Sequence, residues 1–232
     1  MKTIKFVVVL ALGLLSGISF AQSPEAKGLQ IAQAADKADE GFESTTVNLK
    51  MVLRNKRGQE STRLMTNQTL ELTEDGDKSM IVFNSPRDVK GTATLTYTHK
   101  EGSDDQWLYL PSIARVKRIS SDNKSGPFMG SEFAYEDLSS QEVEKYTYKF
   151  LREENKNGDQ LQVVERDPVD PKSGYTRQVV WFNQSKGYRL EMIEFYDRKN
   201  ALLKTLKYRD YKQYLGKHWR AQEMYMVNHQ SE

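Results

Sequence analysis

The 232-residue chain has no cysteine, which excludes disulfides, thiolate metal sites, cysteine nucleophiles and a lipid-modified N-terminal cysteine. Histidine is nearly absent: His99, His218 and His229 are the three present, and none stands at a spacing such as H-x-x-x-H, so no metal site is indicated. There is no glycine-rich phosphate loop and no G-x-S-x-G elbow, which leaves nucleotide chemistry and acyl transfer by a serine nucleophile without support. Charge of either sign is not in excess, because 34 basic residues face 32 acidic ones and the surplus is Lys2 and Lys5. Nucleic acid is not an expected partner, since counterion release needs a basic face and only Arg54, Lys56, Arg57 and Arg115, Lys117, Arg118 form small basic clusters. No cofactor is indicated.

Long apolar runs are missing beyond the first twenty residues. Lys2 and Lys5 form a basic start, Phe6 to Leu15 an apolar stretch, and Ser19-Phe20-Ala21 a small-x-small cleavage site. Residues 1–21 are therefore expected to be a signal peptide cleaved after Ala21, and residues 22–232 an exported single domain that is not itself membrane-anchored, since a span needs about 20 apolar residues.

Ser23-Pro24-Glu25 reads as an N-cap and first turn, and the alanine-rich run to Ala38 with Gly41 behind it reads as a helix. Its apolar stripe (Leu29, Ile31, Ala32, Ala35, Ala38) is thin, which suits a cover lying on a surface. From Glu43 the period changes to two. Val47, Leu49, Met51 and Leu53 alternate with polar residues, and Thr92, Thr94, Thr96 and Thr98 share one face of a later strand. Turn clusters at residues 55–59, 74–77, 155–159, 167–174, 184–187 and 197–200 separate about eleven or twelve strands without alternating helices. The fold class expected is mainly β with few helices: an antiparallel meander that must curl or close. Tyr146, Tyr148, Phe150, Val179, Trp181, Leu190, Met192, Met224 and Met226 are the expected inner face, either a plain core or the lining of a cavity.

The stretch from Asp104 to Leu138 is unlike the rest. An aromatic strand with Trp107 and Tyr109 stops at Pro111, a basic run follows at Arg115, Lys117 and Arg118, and Phe128, Met129, Phe133 and Tyr135 then arrive without a regular period. It reads as a central loop acting as a cover, whose apolar side chains either plug a core or face a ligand. Glu132, Glu136 and Asp137 could pose as a carboxylate pair for glycoside hydrolysis, though acids in a solvated loop are the commoner arrangement. Asn67, Asn123 and Asn183 head N-x-S/T triplets at a frequency near chance.

Residues Trp107 to Leu138, W-L-Y-L-P, a basic strand, then F-M-G-S-E-F-A-Y-E-D-L, resemble the bacterial periplasmic LolA-like outer membrane lipoprotein-sorting proteins. The resemblance implies an incomplete antiparallel β-barrel, a half barrel covered by helices, with an apolar cavity that shields acyl chains. It implies a non-enzymatic periplasmic carrier of a lipid or lipoprotein acyl chain towards the outer membrane, beside an inner-membrane RND-type exporter. A sensor or adaptor binding an envelope protein, the use RseB makes of this fold, is the alternative. Trp107, Tyr109, Phe128, Met129, Phe133 and Tyr135 are then expected at the cavity mouth or lid, and Arg115, Lys117 and Arg118 against phosphate headgroups or an acidic partner.

Overall fold

A computed structural model describes residues 22–231, so the expected signal peptide and its cleavage site lie outside the described residues. One helix, α1 (Pro24–Asp39), precedes twelve strands. The first six are β1 (Ser44–Arg54), β2 (Glu60–Leu70), β3 (Lys78–Ser85), β4 (Ala93–Tyr97), β5 (Asp105–Leu110) and β6 (Arg115–Ile119). The second six are β7 (Tyr146–Lys156), β8 (Asp159–Pro168), β9 (Tyr175–Asn183), β10 (Arg189–Asp197), β11 (Leu202–Tyr214) and β12 (His218–Asn228). Neighbouring strands pair antiparallel except β6 and β7, where the meander divides into two six-stranded sheets, β1 to β6 and β7 to β12. The two sheets do not close into a barrel, and the architecture is an open half barrel.

The division falls at the central segment, residues 120–145, where short 3-10 turns replace strand. Its backbone bonds to itself: Phe128 N–H donates to Phe133 O at 2.6 Å and Tyr135 N–H to Gly126 O at 3.1 Å. Those groups are therefore not offered to either sheet, which is why the ladder stops there.

Ser23 caps α1 as expected, accepting from Ala26 N at 3.2 Å, with Pro24 next in line. The helix lies across β7 and β8, burying Gly28, Ile31 and Ala32. Gly28 is where the two backbones meet: a Cβ there would stand 2.8 Å from Phe150 N and 2.9 Å from Lys149 N. Only a residue without a side chain permits that approach, and the approach brings Ile31 into the core, where its burial contributes about 2 kcal/mol.

Directly paired residues share a sheet face, so the registers assign the faces. On the first sheet Met65, Phe83, Ile81, Thr94 and Leu108 point towards the central segment, and Met80, Leu95, Trp107 and Tyr109 point away. On the second sheet Tyr148, Val164, Val180, Phe182, Ile193, Phe195 and Leu206 pack beneath α1.

The expected inner face of the second sheet needs correcting. Tyr146, Tyr148, Phe150, Leu190 and Met226 do pack into the cluster under the helix. Val179, Trp181 and Met192 form a separate cluster on the opposite face with Leu161 and Val163, and Met224 is 49% exposed. Two causes defeat the alternation. Residues Val179 to Phe182 are apolar at four consecutive positions, so period two cannot say which pair faces in. A bulge in β10 sets Leu190 opposite Phe182 but Met192 opposite Trp181, which turns two residues at i, i+2 to opposite faces. The outward cluster is covered by long side chains: Trp181 Nε1 donates to Glu154 at 3.1 Å, and the Arg177 guanidinium lies 3.5 Å from the Tyr196 ring centroid.

Candidate functional site

The central segment fills the space in front of the first sheet. Phe128 is 0% exposed, with its ring 5.8 Å from that of Phe83 and 5.6 Å from that of Tyr135. Met129 and Gly130 then take positive φ, 50° and 73°, a reversal that returns the chain towards Phe133. The Arg63 guanidinium donates to Met129 O, and Gln106 Nε2 donates to Tyr135 O at 2.9 Å. Phe133 packs against the cores of both halves, so one side chain joins what the sheet ladders leave separate.

The far side of the segment is held by buried charge. Lys204 Nζ donates to Asp137 Oδ2 at 2.6 Å and to Glu132 O at 2.9 Å. The other Asp137 oxygen accepts from the Tyr175 hydroxyl at 2.9 Å, and Ala134 N donates to Oδ2 at 2.7 Å. Burial pushes the Tyr175 phenol well above its ordinary range, and the Asp137 and Glu136 carboxylates beside it push the same way. Glu136 accepts from Ser173 Oγ at 2.8 Å and Gly174 N at 2.9 Å, and its carboxyl is raised by burial although both hydrogen bonds oppose that. Glu132 accepts from Asn228 Nδ2 at 2.6 Å. The three acids that resembled a hydrolytic pair are thus engaged in pinning the segment to β9, β11, β12 and the turn before β9. Among the described residues no group of three His, Cys, Asp or Glu side chains is placed to hold a metal ion.

Between this segment and β11 lies a cleft of about 500 Å³. Pro127, Phe133 and Leu203 supply its apolar wall, Tyr175 and Lys204 its floor, and Arg198 and Lys199 stand at the mouth. A cleft of that size falls within the roughly 300–1,000 Å³ of small-ligand sites. Glu132 and Asp197 line it too, and with Lys204 paired to Asp137 the exposed Arg198 and Lys199 are the cations that could meet an anionic end of an apolar chain sheltered against Phe133 and Leu203.

The residues anticipated at a cavity mouth separate into three groups. Phe133 lines the cleft. Phe128, Met129 and Tyr135 belong to the packing in front of the first sheet, Phe128 completely buried. Trp107 and Tyr109 sit on the opposite face of that sheet, since Trp107 pairs with Leu95 and Tyr109 with Ala93 while the intervening Leu108 points inward. The structure does not bring these two together with Phe128. Arg115, Lys117 and Arg118 lie on β6, away from the cleft, and Arg118 is hydrogen-bonded to the Asp105 carboxylate.

Sequence reasoning missed Lys204 and Tyr175. A signal for the first was present: Lys204, Leu206 and Tyr208 share one strand parity, and a lysine in line with inward apolar residues requires a buried partner. Arg198 and Lys199 lie in an ordinary charged turn and gave no such signal.

The family whose model matches, over residues 75–232, carries the description "Uncharacterized protein". A search of curated proteins gives no match. Among solved structures, the chain is 56% identical to a Vibrio parahaemolyticus domain named as an outer membrane lipoprotein-sorting protein, with a TM-score of 0.86 over 88% of this chain and 86% of that one. A DUF1329 family protein from Desulfovibrio piger is 29% identical, with a TM-score of 0.82 over 89% of this chain and 87% of its own. A LolA superfamily protein from Nitrosomonas europaea shares the fold at 23% identity, with a TM-score of 0.69 over 90% and 87% of the two chains. This chain, with its open half barrel and its F-M-G-S-x-F-x-Y-E-D-L segment, belongs to the LolA-like outer membrane lipoprotein-sorting protein family.

Proposed function

We propose that the protein is a non-enzymatic periplasmic carrier that holds the acyl chain of a lipid or lipoprotein and passes it towards the outer membrane, in company with an inner-membrane RND-type exporter. Residues 1–21 are taken as the export signal, removed after Ala21, and residues 22–232 as the working domain. The observation that carries the reading is the cleft of about 500 Å³ with an apolar wall, bounded by a segment that one buried ion pair fastens to β11. Each methylene buried there contributes roughly 0.8 kcal/mol, so ten give useful but reversible holding. Arg198 and Lys199 at the mouth suit an anionic headgroup. Among the described residues no helix is long and apolar enough to cross a membrane.

The test is native mass spectrometry of protein released gently from the periplasm, with uptake of a fluorescent fatty acid measured beside it. Co-purifying lipid that the fatty acid displaces is the expected result. Protein that is always empty and takes up no probe excludes the carrier.

A sensor or adaptor is the second reading, favoured by the filled face of the first sheet, where Phe128 leaves no room for cargo. Crosslinking in cells separates the two: a carrier meets a donor and an acceptor in turn, whereas an adaptor stays with one partner.

A further inference from the structure

β6 ends the first sheet and has β5 as its one ladder neighbour. Among the described residues no backbone group outside β5 bonds to residues 115–119. Alternate residues of an edge strand turn their N–H and C=O outward, so this edge offers a row of unfilled donors and acceptors. Its side chains stand clear of the fold, Val116 at 63% and the Arg118 side chain at 68% exposed. The registers fix their directions: Arg115 and Lys117 share the face of Leu110 and Leu108, while Val116 and Arg118 share the face of Tyr109 and Trp107.

We propose that β6 is a docking edge, to which a partner protein adds an extended strand carrying acid, apolar residue and acid at successive positions. The acids would lie beside Arg115 and Lys117, and the apolar residue beside Val116 and Tyr109 on the other face. Arg118 asks for less, because the Asp105 carboxylate already engages it. Two other occupants fit worse. A second copy set edge to edge, antiparallel and centred on any residue from Arg115 to Arg118 with faces matched, places a cation against a cation. An anionic bilayer would have to meet Arg115 and Lys117 on one face of the sheet and Val116 and Tyr109 on the other, which a flat surface cannot do. Basic residues on an edge serve to block self-pairing, and here the same residues leave the edge open to an acidic strand. This proposal stands whether or not the cleft carries lipid.

The probe is a short synthetic peptide alternating glutamate and valine, offered to the full domain at low salt. Binding should slow hydrogen exchange of the amides in residues 115–119, and the double substitution Arg115→Glu with Lys117→Glu should weaken binding about tenfold or more while the melting temperature stays put. The same peptide methylated at its amide nitrogens keeps its charge and loses its ladder donors, so it should fail on the unaltered protein. That arm decides the matter even if the double variant does not fold. Equal binding of the methylated peptide, protection elsewhere on the molecule, no binding at all, or retention of the protein on phosphatidylglycerol vesicles through Arg115 and Lys117 in place of the peptide would each overturn the proposal.

Discussion

Lys204 Nζ lies 2.6 Å from Asp137 Oδ2, and their side chains are 4% and 6% exposed, so a full ion pair sits inside the protein where the central segment meets β11. Such a pair contributes little net stability compared with well-packed apolar residues, but removing one partner strands the other charge in a poor solvent. Lys204→Met alone should therefore cost about 3–5 kcal/mol. Adding Asp137→Asn, whose amide oxygen can still accept from Ala134 N while its NH2 group donates to the Tyr175 hydroxyl oxygen, should restore a large part of that loss. Urea unfolding of the two variants checks the order, and a double variant weaker than the single one would show that the charge pair is not what holds the segment.

Phe128 and Gly130 lie two residues apart and should respond very differently. Phe128 is fully enclosed, so Phe128→Ala removes burial and leaves a cavity, at about 3–5 kcal/mol. Gly130 has φ 73° with open space around it, so Gly130→Ala meets no atom and costs about 1–2 kcal/mol from backbone strain alone. Denaturant midpoints of both variants test this. Near-native stability for Phe128→Ala would mean that the ring leaves its seat readily, as a lid would.

Gly28→Ala sets helix propensity against contact. Alanine favours the helix by about 1 kcal/mol, but its Cβ would sit 2.8 Å from the Phe150 backbone nitrogen, which cannot swing aside. Overpacking of this kind costs about 1–3 kcal/mol, so a net loss is expected. Thermal unfolding followed by circular dichroism reads it, and a stabilised variant would show that α1 floats over β7.

Glu142 carries a carboxyl raised to about 7, chiefly by burial and then by Asp77 and Asp36. The folded protein holds this proton more tightly than the unfolded chain, so stability falls as pH rises from the ordinary carboxylate range through 7. Asp36 and Asp77, also raised mainly by burial, act in the same direction. Glu142→Gln should match the parent protein near pH 4 and melt higher than it at pH 8. Melting curves at pH 4, 6 and 8 that run parallel for the two proteins would remove Glu142 from the account.

What the sequence made legible follows from the range of the forces involved. The cap at Ser23, the turn at Asn55 to Gln59 and the alternation along β1 and β4 are local, and the structure has a helix, a turn and two strands at those places. The split of the meander into two sheets was not legible, because nothing local tells a strand end at Ile119 from a turn between paired strands. Nor was the separation of Trp107 from Phe128. Both are aromatic and near in sequence, but a strand sends neighbouring side chains to opposite faces, and only pairing with Leu95 and Arg118 shows which face Trp107 received. The cleft joins residues 127–133 to residues 198–204, a contact between distant segments that no window of sequence contains.

The absence of any strand ladder between the two sheets bears on how the molecule can open. Each sheet is built from successive hairpins, connections of small entropic cost, and α1 completes the second half from the far end of the chain. The halves meet through Phe133, Asp137 and the other side chains of the central segment, Asp137 on Lys204 of β11, so parting them breaks side-chain contacts and hydrogen bonds of that segment while leaving both sheets whole. Any parting of the halves thus has a fixed place, at the central segment and not along a ladder. Hydrogen exchange should find it as a fast zone over residues 124–138 between two slow ones, a hinge made of packing in a protein whose frame is made of ladders.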